Sequence, residues 1–297
     1  MKSTQAYGPR IARRTQIQNI RGVDYCLHEW GDDSMPLLVY LHGWGDSGAT
    51  FQFVVDELQH DWHVVAPDWR GFGRSGHVGE SYWFPDYLAD LDAILEIYSP
   101  AAAVQLIGHS MGANIGGLYA GVFPERVRSF VNIEGFGLAD SDPEQAPANY
   151  RRWIESDKAQ MAYRTYQGLE ELLPGILQRS PRMSSEQAMF VAAEWAALDS
   201  DGIVRIRADP AHKMPNAVQY RRAEAMACWD KAEARVLLVF GAETDFVSAV
   251  KAWIDPDVSK RPFHGAPTAT IASAGHMVHF EAPAALAKAI EDFLLEA

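Results

Sequence analysis

Short apolar segments alternate with amphipathic segments over most of this chain. Two strand-like pieces around a polar turn predict a hairpin within residues 17–30. The runs that predict buried strands are 36–41, 63–68, 104–107, 127–133, 236–241 and 268–273. Apolar residues at helical spacing predict helices within 51–58, 85–98 and 283–295. This alternation predicts the α/β class, with a mostly parallel, doubly wound sheet of eight strands.

The alternation stops between residues 138 and 229. This segment is rich in Met, Trp, Tyr, Arg and Glu, and it contains no convincing strand of a parallel sheet. We interpret it as a helical cap subdomain, 138–229, inserted into a core formed by 1–137 and 230–297. Ligands of such sheets bind outside the carboxyl ends of the strands, which is where an inserted cap would lie.

A G-H-S-M-G motif at 108–112 joins an apolar strand to a helix-like run. A serine at the apex of such a turn has a strained backbone, and its hydroxyl faces a helix N-terminus, where developing negative charge is favoured. Gly108 and Gly112 fit this geometry because a Cβ at either position would collide with the packed strand and helix. Ser110 is therefore the candidate nucleophile.

A serine nucleophile needs a general base and an acid that orients the base. In this architecture the chain order is serine, then acid, then histidine. His276 follows the last predicted strand and is the candidate base, whereas His279 is assigned to packing or capping. Asp245 follows the strand at 236–241 and is the candidate acid. Glu134, at the end of the strand after the nucleophile, is the alternative acid.

An oxyanion formed at this serine would need two backbone N–H donors. Met111 supplies one because it follows the nucleophile, and Trp44, in the loop after the strand at 36–41, supplies the other. His42 is expected to hold that loop by hydrogen bonds. No histidine spacing typical of a zinc site is present, so we predict neither a metal nor a cofactor.

Composition narrows the class of partner. The 297-residue chain has a net charge of −13, which argues against binding nucleic acid or an anionic membrane surface. No apolar run is long enough for a membrane helix, and no signal peptide is visible at the N-terminus. Two distant cysteines, Cys26 and Cys228, are expected to be reduced thiols. We therefore expect a cytoplasmic protein, either a monomer or a homodimer, that acts on a small molecule.

The motifs together resemble the α/β-hydrolase superfamily. The resemblance rests on His42 and Gly43, the segments 68–75 and 108–112, Asp245 and His276, in that order. Within the insertion, 182–188, 209–213 and 228–229 resemble the serine hydrolase-like proteins, which are capped relatives of the epoxide hydrolases and haloalkane dehalogenases. Those two groups use an aspartate nucleophile, whereas this chain has Ser110, so the resemblance implies acyl transfer rather than their chemistry.

These observations predict a carboxylesterase-like enzyme with a Ser110–His276–Asp245 triad. The aromatic-rich insertion suggests an apolar ester as the substrate. Hydrolysis of a carbon–carbon bond and cofactor-free perhydrolysis of the haloperoxidase type would use the same triad and remain alternatives. A ligand-binding receptor that kept the fold without catalysis is an alternative of another class.

Overall fold

The computed structural model describes residues 7–79, 81–159, 161–257 and 260–296. The strands in chain order are β1 (Arg14–Ile20), β2 (Val23–Trp30), β3 (Leu37–Leu41), β4 (His63–Pro67), β5 (Val104–His109), β6 (Val127–Ile133), β7 (Ala196–Leu198), β8 (Val204–Ile206), β9 (Arg235–Gly241) and β10 (Thr268–Ile271). The α-helices are α1 (Gln52–Val55), α2 (Phe84–Tyr98), α3 (Met111–Val122), α4 (Ala146–Lys158), α5 (Leu173–Arg179), α6 (Ser185–Trp195), α7 (Arg222–Trp229), α8 (Val247–Trp253), α9 (Val278–Glu281) and α10 (Pro283–Leu295).

Eight of these strands form one sheet, in the order β1-β2-β4-β3-β5-β6-β9-β10. The hairpin strands β1 and β2 pair antiparallel with each other, and β2 pairs antiparallel with β4. Every other pair in the sheet is parallel. The predicted eight-stranded, mostly parallel sheet is confirmed.

Helices cover both faces of the sheet, which explains why its inner strands are almost continuously apolar. On one face, α2 and α3 pack on the strands through residues such as Leu91, Ile94 and Ile115. On the other face, α1 and α10 contribute residues such as Val54 and Leu286. Because the two helix layers enclose the sheet, the carboxyl ends of the parallel strands form the edge at which a site can be built.

The segment between β6 and β9 contains α4 to α7 and the hairpin of β7 and β8, which is antiparallel and lies outside the main sheet. Its central part packs on a core of its own, in which Ile176 and Val191 meet Phe53 and Phe280 of the surrounding fold. Helix α7 packs against α3. The described residues of this segment add no strand to the main sheet, which agrees with the interruption in the sequence. The boundaries 138 and 229 stay a prediction.

Two further sequence expectations concern thiols and membranes. Cys26 and Cys228 are both free, and Cys26 is buried. Burial raises the pKa of the Cys26 thiol to about 12, with the Asp68 carboxylate adding to the effect. Within the described ranges, every helix is too short or too polar to cross a lipid bilayer.

Candidate active site

Ser110 occupies the sharp turn between β5 and α3. Its backbone has φ 50° and ψ −115°, a conformation that residues other than glycine rarely adopt. The Ser110 N–H donates to the carbonyl of Ile133 at the end of β6, at 2.8 Å. The neighbouring strand therefore fixes the strained turn, which places the hydroxyl at the N-terminus of α3.

Two glycines make this turn possible, as the sequence predicts. A Cβ at Gly112 would collide with the carbonyl oxygen of Leu41 at the end of β3. A Cβ at Gly108 would lie 2.5 Å from the Cα of Ala113. Real Cβ atoms do not approach backbone atoms so closely, so either substitution would push the strand and the helix apart. The steric interpretation of both glycines is confirmed.

His276 lies in the loop between β10 and α9, against the nucleophile. Its Nε2 is 3.1 Å from Ser110 Oγ, and its Nδ1 is 3.2 Å from Glu134 Oε2. In the neutral tautomer that fits these partners, Nδ1–H donates to the carboxylate and Nε2 accepts from the serine hydroxyl. The side chain is 28% exposed, so the imidazole sits at the boundary between the protein interior and solvent.

The carboxylate of Glu134 is buried behind His276. The residue is 2% exposed and has φ 56°, at the end of β6. Its Oε1 accepts the Gly241 N–H at 2.8 Å, and its Oε2 accepts the Thr244 hydroxyl at 2.6 Å. Its own N–H donates to Val239 O at 3.0 Å. Bonds from β9 and from the loop that follows it thus hold this carboxylate in place.

Asp245 does not occupy the position predicted for it. Asp245 is exposed to solvent, and the carboxylate that His276 Nδ1 contacts belongs to Glu134. The reason is the turn after β9, where the Thr244 N–H donates to Gly241 O at 3.2 Å. That turn buries Thr244 beside Glu134 and leaves Asp245 on the solvent side. The expected contact between Asp245 and His276 is therefore wrong, and the alternative acid, Glu134, makes it.

Two buried histidines, His109 and His279, lie close to His276. His109 Nε2 lies 2.9 Å from the backbone carbonyl of His276, to which it donates. Burial, reinforced by His279 and His276, holds the pKa of His109 well below its usual range, so this imidazole stays neutral. His279 is buried, with Nε2 3.1 Å from Asp46 Oδ2, in agreement with a packing role.

The two candidate oxyanion donors are the residue after Ser110 and the residue after Gly43, whose added Cβ would lie 3.2 Å from Ser110 Cβ. Met111 is the first residue of α3, and Trp44 lies in the loop after β3. Among the described residues, neither backbone N–H has a protein acceptor, so both remain available to a ligand. His42 holds the Trp44 loop as predicted, since its Nε2 accepts the Trp69 N–H at 2.9 Å and its Nδ1 donates to Gly43 O at 2.7 Å.

A cavity of about 560 Å³ begins at Trp44 and Met111 and extends along α3. Ser110 and His276 lie outside its lining, so the cavity adjoins the nucleophile through Met111. Its remaining walls come from the start of α2, from the loop at 211–221 and from α7. The volume is in the range of small-molecule sites, and most of the lining side chains are apolar.

In the part of the chain that the structure describes, three groups of side chains bring potential metal-ligating atoms within 4.8 Å of one another. They are Cys26, His28 and Asp68; Asp46, His109 and His279; and Glu29, Asp33 and His63. Each group combines distant segments, which explains why spacing in the sequence gave no sign of them. Contacts between the members bring them together: His28 Nε2 is 3.1 Å from Asp68 Oδ2, and His63 Nε2 is 3.3 Å from Glu29 Oε2.

Comparison with known proteins gives consistent results. A family model described as "alpha/beta hydrolase fold" matches residues 36–283. A serine hydrolase-like protein of Danio rerio is 27% identical over 286 residues, which cover 89% of this chain and 83% of the relative. The 2-(acetamidomethylene)succinate hydrolase of Mesorhizobium japonicum is 26% identical over 290 residues, covering 96% and 95%. A solved thioesterase domain from the curacin biosynthetic pathway shares the fold, with a TM-score of 0.83 at 22% identity, covering 95% of this chain and 99% of that domain.

Proposed function

Because the chain belongs to the α/β-hydrolase fold family, we propose that it is a serine hydrolase that cleaves carboxylic esters through an acyl-enzyme on Ser110. The family and the relatives support hydrolase function on a small-molecule substrate. The observation that carries the finer proposal is the continuous contact from Ser110 Oγ through the His276 imidazole to the Glu134 carboxylate.

In the first half of the reaction, Ser110 Oγ attacks the ester carbonyl carbon while His276 Nε2 takes the hydroxyl proton. The imidazolium that forms is stabilised by the buried carboxylate of Glu134, which keeps its negative charge. The backbone N–H groups of Met111 and Trp44 bind the oxyanion of the tetrahedral intermediate. As the C–O bond breaks, His276 returns the proton to the leaving alkoxide oxygen, and an acyl-enzyme and a free alcohol result.

The second half repeats these steps with water. His276 Nε2 takes a proton from a water molecule, whose oxygen attacks the acyl carbon. The second tetrahedral intermediate collapses, the bond to Ser110 Oγ breaks, and the proton on His276 goes to the serine oxygen. The products are the free carboxylic acid and the regenerated hydroxyl, so neither redox chemistry nor a cofactor enters the balance.

We assign the cavity along α3 to the substrate and residues 138–229 to a cap that closes over it. The cavity is lined by Trp44 and Met111, which we propose as the oxyanion donors, and by side chains of the insertion, including Tyr220 and Trp229. Its predominantly apolar lining supports an ester with an apolar body.

The proposal is tested by reacting the folded protein with a fluorescent fluorophosphonate and by assaying an activated p-nitrophenyl ester. We expect one adduct on Ser110, and a loss of labelling and of turnover, on the order of 10⁶-fold, in Ser110→Ala. Ser248→Ala, which removes an exposed hydroxyl from α8, is the matched control and should behave as the wild type. Equal labelling of wild type and Ser110→Ala, or a folded wild type that neither reacts nor turns over, would overturn the proposal.

A further inference from the structure

The turn that carries His276 is held by a buried carboxylate a few residues further on. Glu281, the last residue of α9, accepts the Gly275 N–H on its Oε2 at 2.7 Å. The Glu281 side chain is 1% exposed, so this hydrogen bond is shielded from water. Because Gly275 directly precedes His276, the carboxylate fixes the backbone from which the imidazole reaches Ser110.

An arginine of the insertion pairs with this carboxylate. The Arg182 backbone N–H donates to Glu281 Oε1 at 3.4 Å, and the Arg182 Nη1 lies 3.9 Å from the same oxygen. A buried carboxylate is costly unless it is paired and hydrogen-bonded. Arg182 therefore stabilises Glu281 in the place where its other oxygen holds Gly275.

The same guanidinium also pairs with Glu243, in the turn after β9, through Nη2. The Glu243 N–H in turn donates to Ala274 O at 2.9 Å, two residues before His276. Arg182 thus joins two turns that meet beside His276. A planar guanidinium can contact two carboxylates at once in this way, whereas an ammonium group carries the charge without the fork.

The part of the insertion that follows Arg182 is anchored to the same turn. Trp195, the last residue of α6, donates from Nε1 to Asp46 Oδ1 at 2.9 Å. The other oxygen of Asp46 lies 3.1 Å from Nε2 of His279, three residues after His276. Among the described residues, those of the insertion that line the cavity lie at 138 and between 211 and 229. The segment 182–195 therefore contacts the turn that carries the base and not the cavity.

We propose that Arg182 is a positioning residue for His276, acting through Glu281 and the Gly275 N–H. The inference rests on the proposed function, in which His276 Nε2 must stay within reach of Ser110 Oγ while the proton moves in both directions. The insertion then has two roles in different segments. Residues 211–229 line the cavity, and the segment 182–195 holds the base in place.

Steady-state kinetics of Arg182→Gln in the full chain test this. The glutamine lacks the charge, so Glu281 loses its ion pair and the turn that carries His276 is held less firmly. We expect kcat for p-nitrophenyl esters to fall by about 10-fold and KM to change by less than about twofold. Because the cavity is not altered, the loss should be the same for an acetate and an octanoate ester. Arg182→Lys keeps the charge and should recover part of the activity.

A double-mutant cycle tests the route through Glu281. Glu281→Gln still offers an acceptor to the Gly275 N–H but removes the charge that Arg182 meets, so we expect it to lower kcat by a similar factor. In that background, adding Arg182→Gln should change kcat by less than about twofold, because the two substitutions remove one interaction.

Arg205→Gln is the matched control, since Arg205 pairs with Asp199 and Asp201 inside the insertion, and it should behave as the wild type. Thermal melting checks the folding of each variant.

If wild type cleaves both esters and folded Arg182→Gln keeps the wild-type kcat, the positioning role is overturned while the proposed function stands. Should Arg182→Gln fail to fold, a wild-type kcat in Glu281→Gln overturns it in the same way. A full further loss in the Glu281→Gln background, or an equal loss in Arg205→Gln, also overturns it, since Arg182 would then act by another route. So does a loss that differs between the two esters, which would point to the cavity. A folded wild type that cleaves neither ester overturns both proposals.

Discussion

The ends of β6 and β9, two neighbouring parallel strands, each carry an acid that the sequence offers as the partner of His276. At the end of β6, Glu134 is buried and accepts hydrogen bonds from Gly241 and Thr244. After the end of β9, Asp245 is exposed. A position directly after a strand therefore does not by itself make a carboxylate the partner of His276. What matters is which carboxylate the surrounding backbone supplies with donors.

Strand β9 still contributes to the candidate site, although it does not supply the acid. The Gly241 N–H and the Thr244 hydroxyl point at the carboxylate of its neighbour. Without these donors a buried carboxylate would be costly, because burial disfavours its charged form. The end of β6 carries the charge, and the end of β9 stabilises it. We therefore expect substitutions at the two strand ends to lower turnover by different amounts.

The largest effect is expected from the acid itself. Glu134→Gln preserves the size of the side chain but cannot stabilise an imidazolium or accept the His276 Nδ1–H in the same way. We expect kcat for an activated ester to fall by about 10⁴-fold, the loss typical of a triad acid replaced by its amide. Asp245→Asn is the matched change on β9 and should alter kcat by less than about twofold, as for an exposed site outside the machinery.

Steady-state kinetics on both variants, with thermal melting as a check of folding, distinguishes the two strand ends. If Asp245→Asn lost activity and Glu134→Gln retained it, Asp245 and not Glu134 would be the acid that supports His276.

An intermediate effect is expected at Thr244. Thr244→Val is nearly isosteric and removes the hydroxyl that donates to Glu134 Oε2 at 2.6 Å. The carboxylate then keeps the Gly241 N–H but loses a charge-assisted bond, and we expect kcat to fall by about 10-fold. Thr244→Ser restores the hydroxyl and should recover most of the activity. A valine variant with wild-type kcat would show that the Thr244 bond does not position the acid.

The smallest effect is expected when the Asp245 substitution is added to a variant that already lacks the Glu134 carboxylate. If Asp245 could replace Glu134 when the latter is neutral, the double variant Glu134→Gln/Asp245→Asn would be markedly slower than Glu134→Gln. Because the turn after β9 directs Asp245 to solvent, we expect the second substitution to change the residual rate by less than about twofold. A further drop of 10-fold or more would mean that the turn rearranges to bring Asp245 inward.

The strands and the serine turn were predictable because their signals are local. Apolar runs bounded by turns mark strands such as β3 and β9, and the glycines on both sides of Ser110 mark the tight turn between a strand and a helix. The acid was not predictable in this way. Glu134 and Asp245 both lie between the serine and the histidine in the chain, so the order of residues admits either.

What decides between the two acids is non-local. The choice depends on the hydrogen bonds that Gly241 and Thr244, 107 and 110 residues further along the chain, donate to Glu134. The orientation of the Asn114 amide is non-local as well, because Gly137, 23 residues further along the chain, donates its N–H to Oδ1. In the sequence, Asn114 is only a polar residue in a helix.

Ser110, Glu134 and His276 differ in how the fold holds them in place. The backbone on both sides is continuous with the sheet, since Ser110 N–H bonds to β6 and Glu134 N–H bonds to β9. His276 lies in the loop after β10, outside the sheet, and the bonds that hold this loop include those from His109 to its carbonyl and from the Gly275 N–H to Glu281. In terms of motion, serine and carboxylate must fluctuate together, and the imidazole can leave them by a local opening that costs less than unfolding. On heating, we therefore expect the contact between His276 and Ser110 to be lost before the sheet unfolds.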